Sequence, residues 1–330
     1  MKIQVFSILC FTLVLIKGDF SRHLESYENP FDYSSIKAVT KNEDLTNKIY
    51  ESINSDECVA YFDQNMQLEN IDELYNVNLN KKSGESSNFT NSELYRLNSA
   101  LLINGKKEIN FKSINISLSV DNVNGLIATN DAYIHIDEIK VISSAAKLSR
   151  CFVSTFSGEI FAKNAKLITE GNSSPAVATF WKNGGEIYIS VGTIETKGKL
   201  SPLIYMNCGF VSLSNVNGNS GKSQIALFDG TGELSIRNSN IKFYGQGEGN
   251  VDNCGIKIYN SKQNQNDDDK SDLICSYSTL EIISTSKYFE TAPMFYVTNK
   301  EIYFYFLKCN LIFGSGTILK IGRSNQFGKE

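Results

Sequence analysis

The chain has 330 residues with a net charge of −4, and 41% of its residues are hydrophobic. It is therefore long enough for one elongated domain or two compact ones with a substantial buried core. The weakly acidic balance argues against a nucleic-acid partner, which requires a basic face. The chain contains 4 prolines but 23 glycines, and Asn and Ser recur in short clusters, so the composition is typical of a protein built from strands and turns.

The N-terminus has the pattern of a secretion signal. Lys2 supplies a positive start, and residues 5–16 form a short apolar run that fits the core of a signal peptide. The run is too short to span a bilayer comfortably, and no later segment reaches membrane-spanning length. We predict a signal peptide over residues 1–18, with an uncleaved anchor as the alternative. The mature protein is then expected to be secreted or held at the cell surface, without a membrane span.

Residues 42–54 have the pattern of a short amphipathic helix just ahead of the first repeat. Their apolar residues fall at i, i+4 and i+8, behind an asparagine placed to cap the start. These residues are Leu45, Ile49 and Ile53, with Asn42 at the cap. Such a helix would cover the open end of a stack of strands. Together with the polar residues 19–41, interpreted as a loosely attached arm, it makes up the predicted N-terminal segment 19–56.

An apolar pattern recurs roughly every 25 residues through most of the chain. Each copy has two apolar residues separated by one position and a third apolar residue five positions later. The copies are Ile109, Phe111 and Ile116; Ile134, Ile136 and Val141; Ile160, Ala162 and Leu167; Ile187, Ile189 and Ile194; and Leu234, Ile236 and Ile241. Because the apolar residues alternate at period two, each copy is predicted to form strands rather than a helix.

Another apolar strand precedes each copy, and a short turn such as Asn104-Gly105 or Gly184-Gly185 separates the two. The preceding strands lie at residues 59–62, 101–103, 126–129, 151–154, 177–180, 203–206, 225–228, 255–259, 294–297 and 318–320. A bend and a third short strand complete each unit. Three short strands per unit are typical of an all-β, right-handed parallel β-helix of about eight to ten coils, which we place at residues 57–330.

Two polar loops interrupt the period, at residues 81–98 and 262–273. The second contains the run Asp267, Asp268 and Asp269, and hard cations prefer such oxygen ligands. Consecutive carboxylates lack the alternate spacing that would let several of them converge on one ion. We therefore interpret the run as a solvated loop and predict no metal and no cofactor.

Seven cysteines are present, and removal of the signal peptide leaves six. An even count in an exported protein permits three disulfides, whose pairing the sequence leaves open. The disulfide candidates are Cys58, Cys151, Cys208, Cys254, Cys275 and Cys309. For Cys151, at an inward strand position, a small buried thiol is an equal alternative. Three sequons, at Asn88, Asn115 and Asn172, are candidate N-glycosylation sites if the protein is exported from a eukaryotic cell.

Three segments carry a resemblance to a known family. They are residues 86–100, Ser-Ser-Asn-Phe-Thr-Asn-Ser-Glu-Leu-Tyr-Arg-Leu-Asn-Ser-Ala; residues 293–299, Pro-Met-Phe-Tyr-Val-Thr-Asn; and residues 314–320, Gly-Ser-Gly-Thr-Ile-Leu-Lys. Over roughly residues 57–325 the chain resembles secreted, adhesin-like right-handed parallel β-helix repeat proteins. The resemblance implies a pectate-lyase-like fold and an extracellular setting. The family pattern runs on past the last coil, so a truncated C-terminal end is an open alternative.

The sequence shows no catalytic constellation. Polysaccharide lyases and hydrolases need clustered carboxylates, or a calcium site beside a basic residue. Of the two histidines, His23 lies in the polar arm, and His135 alternates with inward isoleucines and is predicted to be exposed and non-catalytic. Asp137 and Glu138 are adjacent and project differently, which is poor geometry for a carboxylate pair. We therefore predict no catalytic residues.

The first strands predict an outward apolar column, which calls for a cover or a partner. If Ile256 and Ile258 face inward, Lys257 faces outward, and the same register places apolar residues outside. These are Leu102, Ile127, Phe152, Ala178, Ile204, Ala226 and Phe295. With nearby aromatic residues, which bind sugars and serve as protein hot spots, the binding candidates are Ile127, Phe152, Phe180, Trp181, Ile204 and Phe295. The alternatives are that a long loop covers the column, or that the register is off by one.

The leading hypothesis is a non-catalytic extracellular or cell-surface protein that recognises a polysaccharide or a secreted or surface protein along one face of the solenoid. The alternatives are a polysaccharide lyase or glycoside hydrolase and a structural spacer. Three or more carboxylates or basic residues converging in one groove would favour the enzyme. A smooth face of Ser, Thr, Asn and apolar residues would favour binding. The oligomeric state is left open by the sequence.

Overall fold

The computed structural model describes residues 2–4, 33, 36–54, 57–63, 73–82, 98–106, 108–144, 147–180, 184–245, 253–260 and 270–322. These residues form an all-β parallel solenoid of about nine turns, and they contain no α-helix. The predicted fold class is therefore confirmed. Successive coils pair along two sheets, which we call sheet 1 and sheet 2.

Sheet 1 contains 11 strands, and every neighbouring pair in it is parallel. Its strands are the first strands of successive coils. They are β2 (Lys37–Lys41), β4 (Glu57–Phe62), β6 (Ser99–Asn104), β8 (Asn124–Thr129), β10 (Arg150–Thr155), β12 (Val177–Phe180), β14 (Ile204–Met206), β16 (Ala226–Asp229), β19 (Ile256–Tyr259), β22 (Phe295–Thr298) and β25 (Leu319–Gly322).

Sheet 2 contains 14 strands, which follow the first strands along the chain. They are β1 (Lys2–Gln4), β3 (Ile49–Ser52), β5 (Val77–Lys81), β7 (Glu108–Leu118), β9 (Tyr133–Ser143), β11 (Glu159–Thr169), β13 (Glu186–Lys199), β15 (Phe210–Lys222), β17 (Glu233–Arg237), β18 (Asn240–Phe243), β20 (Ser271–Ser276), β21 (Thr279–Ile282), β23 (Ile302–Leu307) and β24 (Asn310–Ile312). Strand β1 pairs antiparallel with β24.

The second and third strands predicted for each unit run together in the middle coils as one long strand with a bend. At this bend Asn164, Val191 and Asn215 have φ values of 51°, 67° and 56°. Asparagine adopts this left-handed conformation more readily than most residues, whereas a β-branched valine is strained there. In the last coils the bend separates two strands of sheet 2, such as β17 and β18.

The core consists of the stacked apolar columns that the repeat predicts. Ile134 of β9 pairs with Ile109 below it and Ile160 above it, and Ile160 pairs in turn with Ile187. All four side chains are buried. Burial of each large aliphatic side chain contributes roughly 1.5–3 kcal/mol, so these columns hold the coils together.

The predicted capping helix at residues 42–54 is wrong. This segment is a turn followed by β3, which pairs in parallel with β5. Leu45 is buried, but Ile49 and Ile53 are 72% and 69% exposed. Asn42 and Asn47 take positive φ values, which interrupt a helix, and a helix this short is marginal in water. Strand β2, inside the segment interpreted as an arm, also pairs with β4, so the sheets begin upstream of residue 57.

Several predictions fall outside the described residues. They concern residues 5–18 of the signal peptide, His23, Asn88, Trp181 and the Asp267–Asp269 run. Most of the segment 86–100, which carries part of the family resemblance, is also outside. Within the part of the chain that the structure describes, no helix is long and apolar enough to cross a membrane.

Candidate functional site

The outward column of sheet 1 is covered rather than open. Leu102, Ile127, Val153 and Ala178 face away from the main core, yet none of them has exposed area. They form a second buried cluster, to which Tyr33 and Phe180 also belong. Tyr33 packs into this second cluster, so Ile127 and Phe180 present little surface to a ligand. The long loops that the sequence offers as a cover lie mostly outside the described residues, so that alternative stays a prediction.

Four residues predicted to face outward from sheet 1 face inward instead. The strand register aligns the outward Lys257 with Leu227, Tyr205, Ala178, Val153, Ile127, Leu102 and Tyr296. The prediction placed Phe152, Ile204, Ala226 and Phe295 on the outer face. Each of them precedes by one position the residue that aligns with Lys257, and all four belong to the main core. A slip of one residue moves a strand's whole set of side chains to the other face. These binding candidates therefore form no surface.

Sheet 2 presents a stack of aromatic rings on its outer face. The five rings lie on four successive coils, with two of them on β9, and we call them the aromatic ladder. They are Tyr133, His135, Phe161, Tyr188 and Phe210. The ring centroids of His135 and Phe161 are 5.0 Å apart, and those of Phe161 and Tyr188 are 4.4 Å apart with planes 5° from parallel. Each ring is half-buried. His135 therefore belongs to a packed stack and is not the isolated exposed residue that its lone position suggests.

A row of carboxylates runs beside the aromatic ladder. The register of sheet 2 aligns acidic residues at the start of successive strands, and we call them the acidic row. They are Glu108, Glu159, Glu186, Glu233 and Asp272, with Tyr133 and Phe210 at the intervening coils. Neighbouring parallel strands lie roughly 4.8 Å apart. Glu159 and Glu186 are therefore close neighbours, as are Glu233 and Asp272, whereas the coil of Tyr133 separates Glu108 from Glu159.

Electrostatics within the acidic row is unfavourable at Glu159. Partial burial raises the pKa of the Glu159 carboxyl, and the nearby charges of Glu186 and Asp131 raise it further. Glu186 is better compensated, because the hydroxyl of Tyr188 donates a hydrogen bond to it. Burial, followed by this hydrogen bond to a carboxylate, raises the pKa of Tyr188 as well.

The ladder and part of the acidic row line a groove of about 570 Å³. Glu73, Glu108, Asp137 and Lys163 supply its charged side chains. Asp137 is held by an ion pair with Lys112 on the neighbouring coil, and this hydrogen bond lowers the pKa of Asp137. The groove therefore combines aromatic ring edges with carboxylates on the outer face of sheet 2.

The sequence contains a signal for this groove. His135, Phe161 and Tyr188 each follow the first isoleucine of a repeat, and Glu159 and Glu186 each precede it. Outward positions at the same offset in successive coils must lie side by side in a parallel stack. These side chains are 26 or 27 positions apart in the chain, so no local sequence pattern brings them together.

The structure also describes two of the predicted glycosylation sites and the six candidate disulfide cysteines. Asn115 and Asn172 are exposed, as a glycosylation site requires. The six cysteines of the described residues are present as thiols. No group of three or more His, Cys, Asp or Glu side chains in the described ranges is arranged to hold a metal ion.

Comparison with known proteins gives no relative of this chain: no protein-family model matches it, and neither a curated protein nor a solved structure does. The fold supports the predicted resemblance at the level of a parallel β-solenoid, and no comparison supports the pectate-lyase-like or adhesin-like part of it.

Proposed function

We propose that this protein is a secreted or surface-held recognition protein, adhesin-like in role, that binds a glycan polymer along the groove of sheet 2. The observation that carries the proposal is the acidic row beside the aromatic ladder. Carboxylates accept hydrogen bonds from sugar hydroxyls, and a row repeated on successive coils suits a ligand that itself repeats. The predicted signal peptide and exposed sequons support an extracellular setting.

The arrangement of the ladder restricts how a sugar can bind. Phe161 has one ring face against His135 and the other against Tyr188. Its faces are therefore occupied, and the ladder offers ring edges, which carry partial positive charge, rather than open faces. Specificity in this groove then comes from hydrogen bonds to its lining carboxylates Glu73, Glu108 and Asp137. Glu159 and Glu186 of the neighbouring acidic row extend these contacts, and the ring edges form an apolar floor.

Charge selects the class of glycan. The groove is lined by three carboxylates, Glu73, Glu108 and Asp137, and Glu159 and Glu186 lie nearby in the acidic row. A polyuronate such as pectate would bring further negative charge to this face, and like charges in contact cost binding energy. We therefore infer that the ligand is neutral or carries amino groups.

A second candidate function is glycoside hydrolysis. Glu73, Glu108 and Asp137 converge in one groove, and such a cluster of carboxylates is the arrangement that we expect of a glycoside hydrolase. A carboxyl whose pKa is raised beside a second carboxylate, as at Glu159 and Glu186, is also what a general acid requires. Binding is preferred because one oxygen of Asp137 is held by the ammonium group of Lys112, and one oxygen of Glu186 accepts a hydrogen bond from the hydroxyl of Tyr188. Neither carboxylate is then fully available for acid–base chemistry.

A glycan-array screen of the full-length protein, with a reducing-sugar assay on every retained polysaccharide, tests the proposal. We expect retention of neutral or amino-sugar glycans without turnover. Phe161→Ala and Glu159→Gln are expected to weaken retention at least several-fold. Ser235→Ala is the matched control, since Ser235 lies at the same outward offset on β17, beyond the ladder. Turnover that Glu159→Gln abolishes would establish the hydrolase instead, and equal retention by all variants would exclude the groove.

A further inference from the structure

Two cysteines from successive coils meet inside the C-terminal part of the solenoid. Cys275 lies in β20, and Cys309 lies at the corner between β23 and β24. Strands β20 and β23 pair in parallel register, which places the two cysteines on adjacent coils. Their Sγ atoms are 2.9 Å apart, and both residues are buried. At this distance the two sulfur atoms are already in direct contact, and an S–S bond of roughly 2.05 Å needs a further approach of about 0.9 Å.

We propose that Cys275 and Cys309 form a disulfide bond that cross-links these two coils when the protein meets an oxidising environment. The sequence alone leaves the pairing of the six cysteines open, and the packing of β20 against β23 selects this pair. Cys151 shows the contrast: it is fully buried, and its thiol contacts the backbone carbonyls of Val141 and Ile168.

The oxidation proceeds by thiol–disulfide exchange with a small-molecule disulfide such as oxidised glutathione. Cys309 is the attacking residue, because contact with the Cys275 thiol lowers its pKa. Its thiolate bonds to one sulfur of the reagent, whose S–S bond breaks and releases one reduced thiol. Cys275 then loses its proton, bonds to the Cys309 sulfur and displaces the second reduced thiol. Two electrons and two protons thus pass from the cysteine pair to the reagent.

Peptide mapping tests the pairing without any variant. Lysines at 270, 287, 308 and 320 place the two cysteines in separate tryptic peptides, residues 271–287 and 309–320, each with a single cysteine. Because both cysteines are buried in the folded protein, full-length protein is refolded from urea with reduced and oxidised glutathione, so that the reagent reaches the thiols. It is then alkylated under denaturing conditions and digested without reduction. We expect a linked pair of these peptides that separates on reduction, while the Cys151 peptide, residues 151–163, is recovered alkylated. Recovery of both peptides alkylated, or linkage of either to another cysteine, would overturn the proposal.

Thermal unfolding gives an independent readout. Closing a loop between two cysteines that are 34 positions apart restricts the unfolded chain, so reduction is expected to lower Tm by roughly 5 °C. Cys275→Ser and Cys309→Ser are each expected to abolish this redox-dependent shift, whereas Cys151→Ala retains it. A shift of the same size in the Cys275→Ser variant would contradict the assignment.

Discussion

The rings of Phe161 and Tyr188 stack with centroids 4.4 Å apart and planes 5° from parallel, although 27 positions separate the two residues in the chain. This contact exists only because β11 and β13 pair in parallel register. It shows that residues at the same position in successive repeats lie side by side on the surface of the solenoid. Phe161 lies at the centre of the aromatic ladder.

Phe161→Ala is expected to destabilise the fold. The substitution removes the stacks with both His135 and Tyr188, each of which contributes about 0.5–1.5 kcal/mol beyond area burial. We expect the free energy of unfolding, measured by urea titration, to fall by about 1–3 kcal/mol. Ser235→Ala, at the equivalent outward position on β17, is expected to change it by less than about 0.5 kcal/mol. Equal effects of the two substitutions would show that the ladder contributes no stability.

Lys81→Met is expected to be one of the most destabilising substitutions of a buried residue in the N-terminal coils. Lys81 is fully buried, and its ammonium group donates hydrogen bonds to the hydroxyl of Ser52 and the backbone carbonyls of Asn54 and Glu57. Methionine fills a similar volume but leaves these acceptors unsatisfied, at a cost of about 2–4 kcal/mol in the free energy of unfolding.

Lys82→Met provides the matched control for this prediction. Lys82 adjoins Lys81 in sequence, is exposed, and forms an ion pair of 2.6 Å with Glu51. Exposed ion pairs contribute little, so we expect a loss below about 1 kcal/mol. Urea denaturation of both variants measures the difference. If Lys81→Met is tolerated as well as Lys82→Met, the buried hydrogen bonds do not stabilise the turn between β3 and β4.

Gly198→Ala and Gly221→Ala form a pair that tests how closely adjacent coils approach. A Cβ atom on Gly198 would lie 1.7 Å from the carbonyl oxygen of Gly171, whereas one on Gly221 would lie 3.0 Å from that of Thr196. The clash at Gly198 would push the backbone of its coil away from the backbone of the adjacent coil. We expect Gly198→Ala to lower the free energy of unfolding by about 1–3 kcal/mol or more, and Gly221→Ala by clearly less. The reverse order would contradict the spacing of the coils.

Because the pKa of Glu159 is raised, Glu159→Gln is expected to increase the thermal stability of the protein in a pH-dependent way. Because the folded state holds this proton more tightly than the unfolded chain, ionisation of Glu159 destabilises the fold as pH rises above the ordinary glutamate pKa of 4.5. The variant lacks this ionisation. We expect its Tm to exceed that of the wild type at pH 7 by a small margin and to match it near pH 4.

Glu138→Gln, on the exposed surface of β9, is the control for that prediction. It removes the same charge from the same sheet at a position outside the acidic row. We expect no comparable gain at pH 7 in a thermal-unfolding series. A gain of equal size would indicate that overall charge, rather than the burial of Glu159 and its proximity to Glu186, sets the effect.

The fold was predictable because its signal is periodic. Ile134, Ile160 and Ile187 repeat at one offset, and a parallel stack is the structure that buries such a pattern. The inward position of Phe152 was not predictable in the same way, since strands that are apolar on both faces carry no alternation from which to read the register. The cover over Ile127 involves Tyr33, a non-local contact that no local pattern reports.

Differential retention on two polysaccharides tests the central claim most directly. Full-length protein is passed at low ionic strength over immobilised polygalacturonate and over an uncharged or amino-sugar polymer. The account predicts retention on the second matrix alone, weakened by Glu159→Gln combined with Glu186→Gln. Retention on polygalacturonate, unchanged by these substitutions, would contradict the account, because a ligand held by the acidic row cannot carry the same charge as the row.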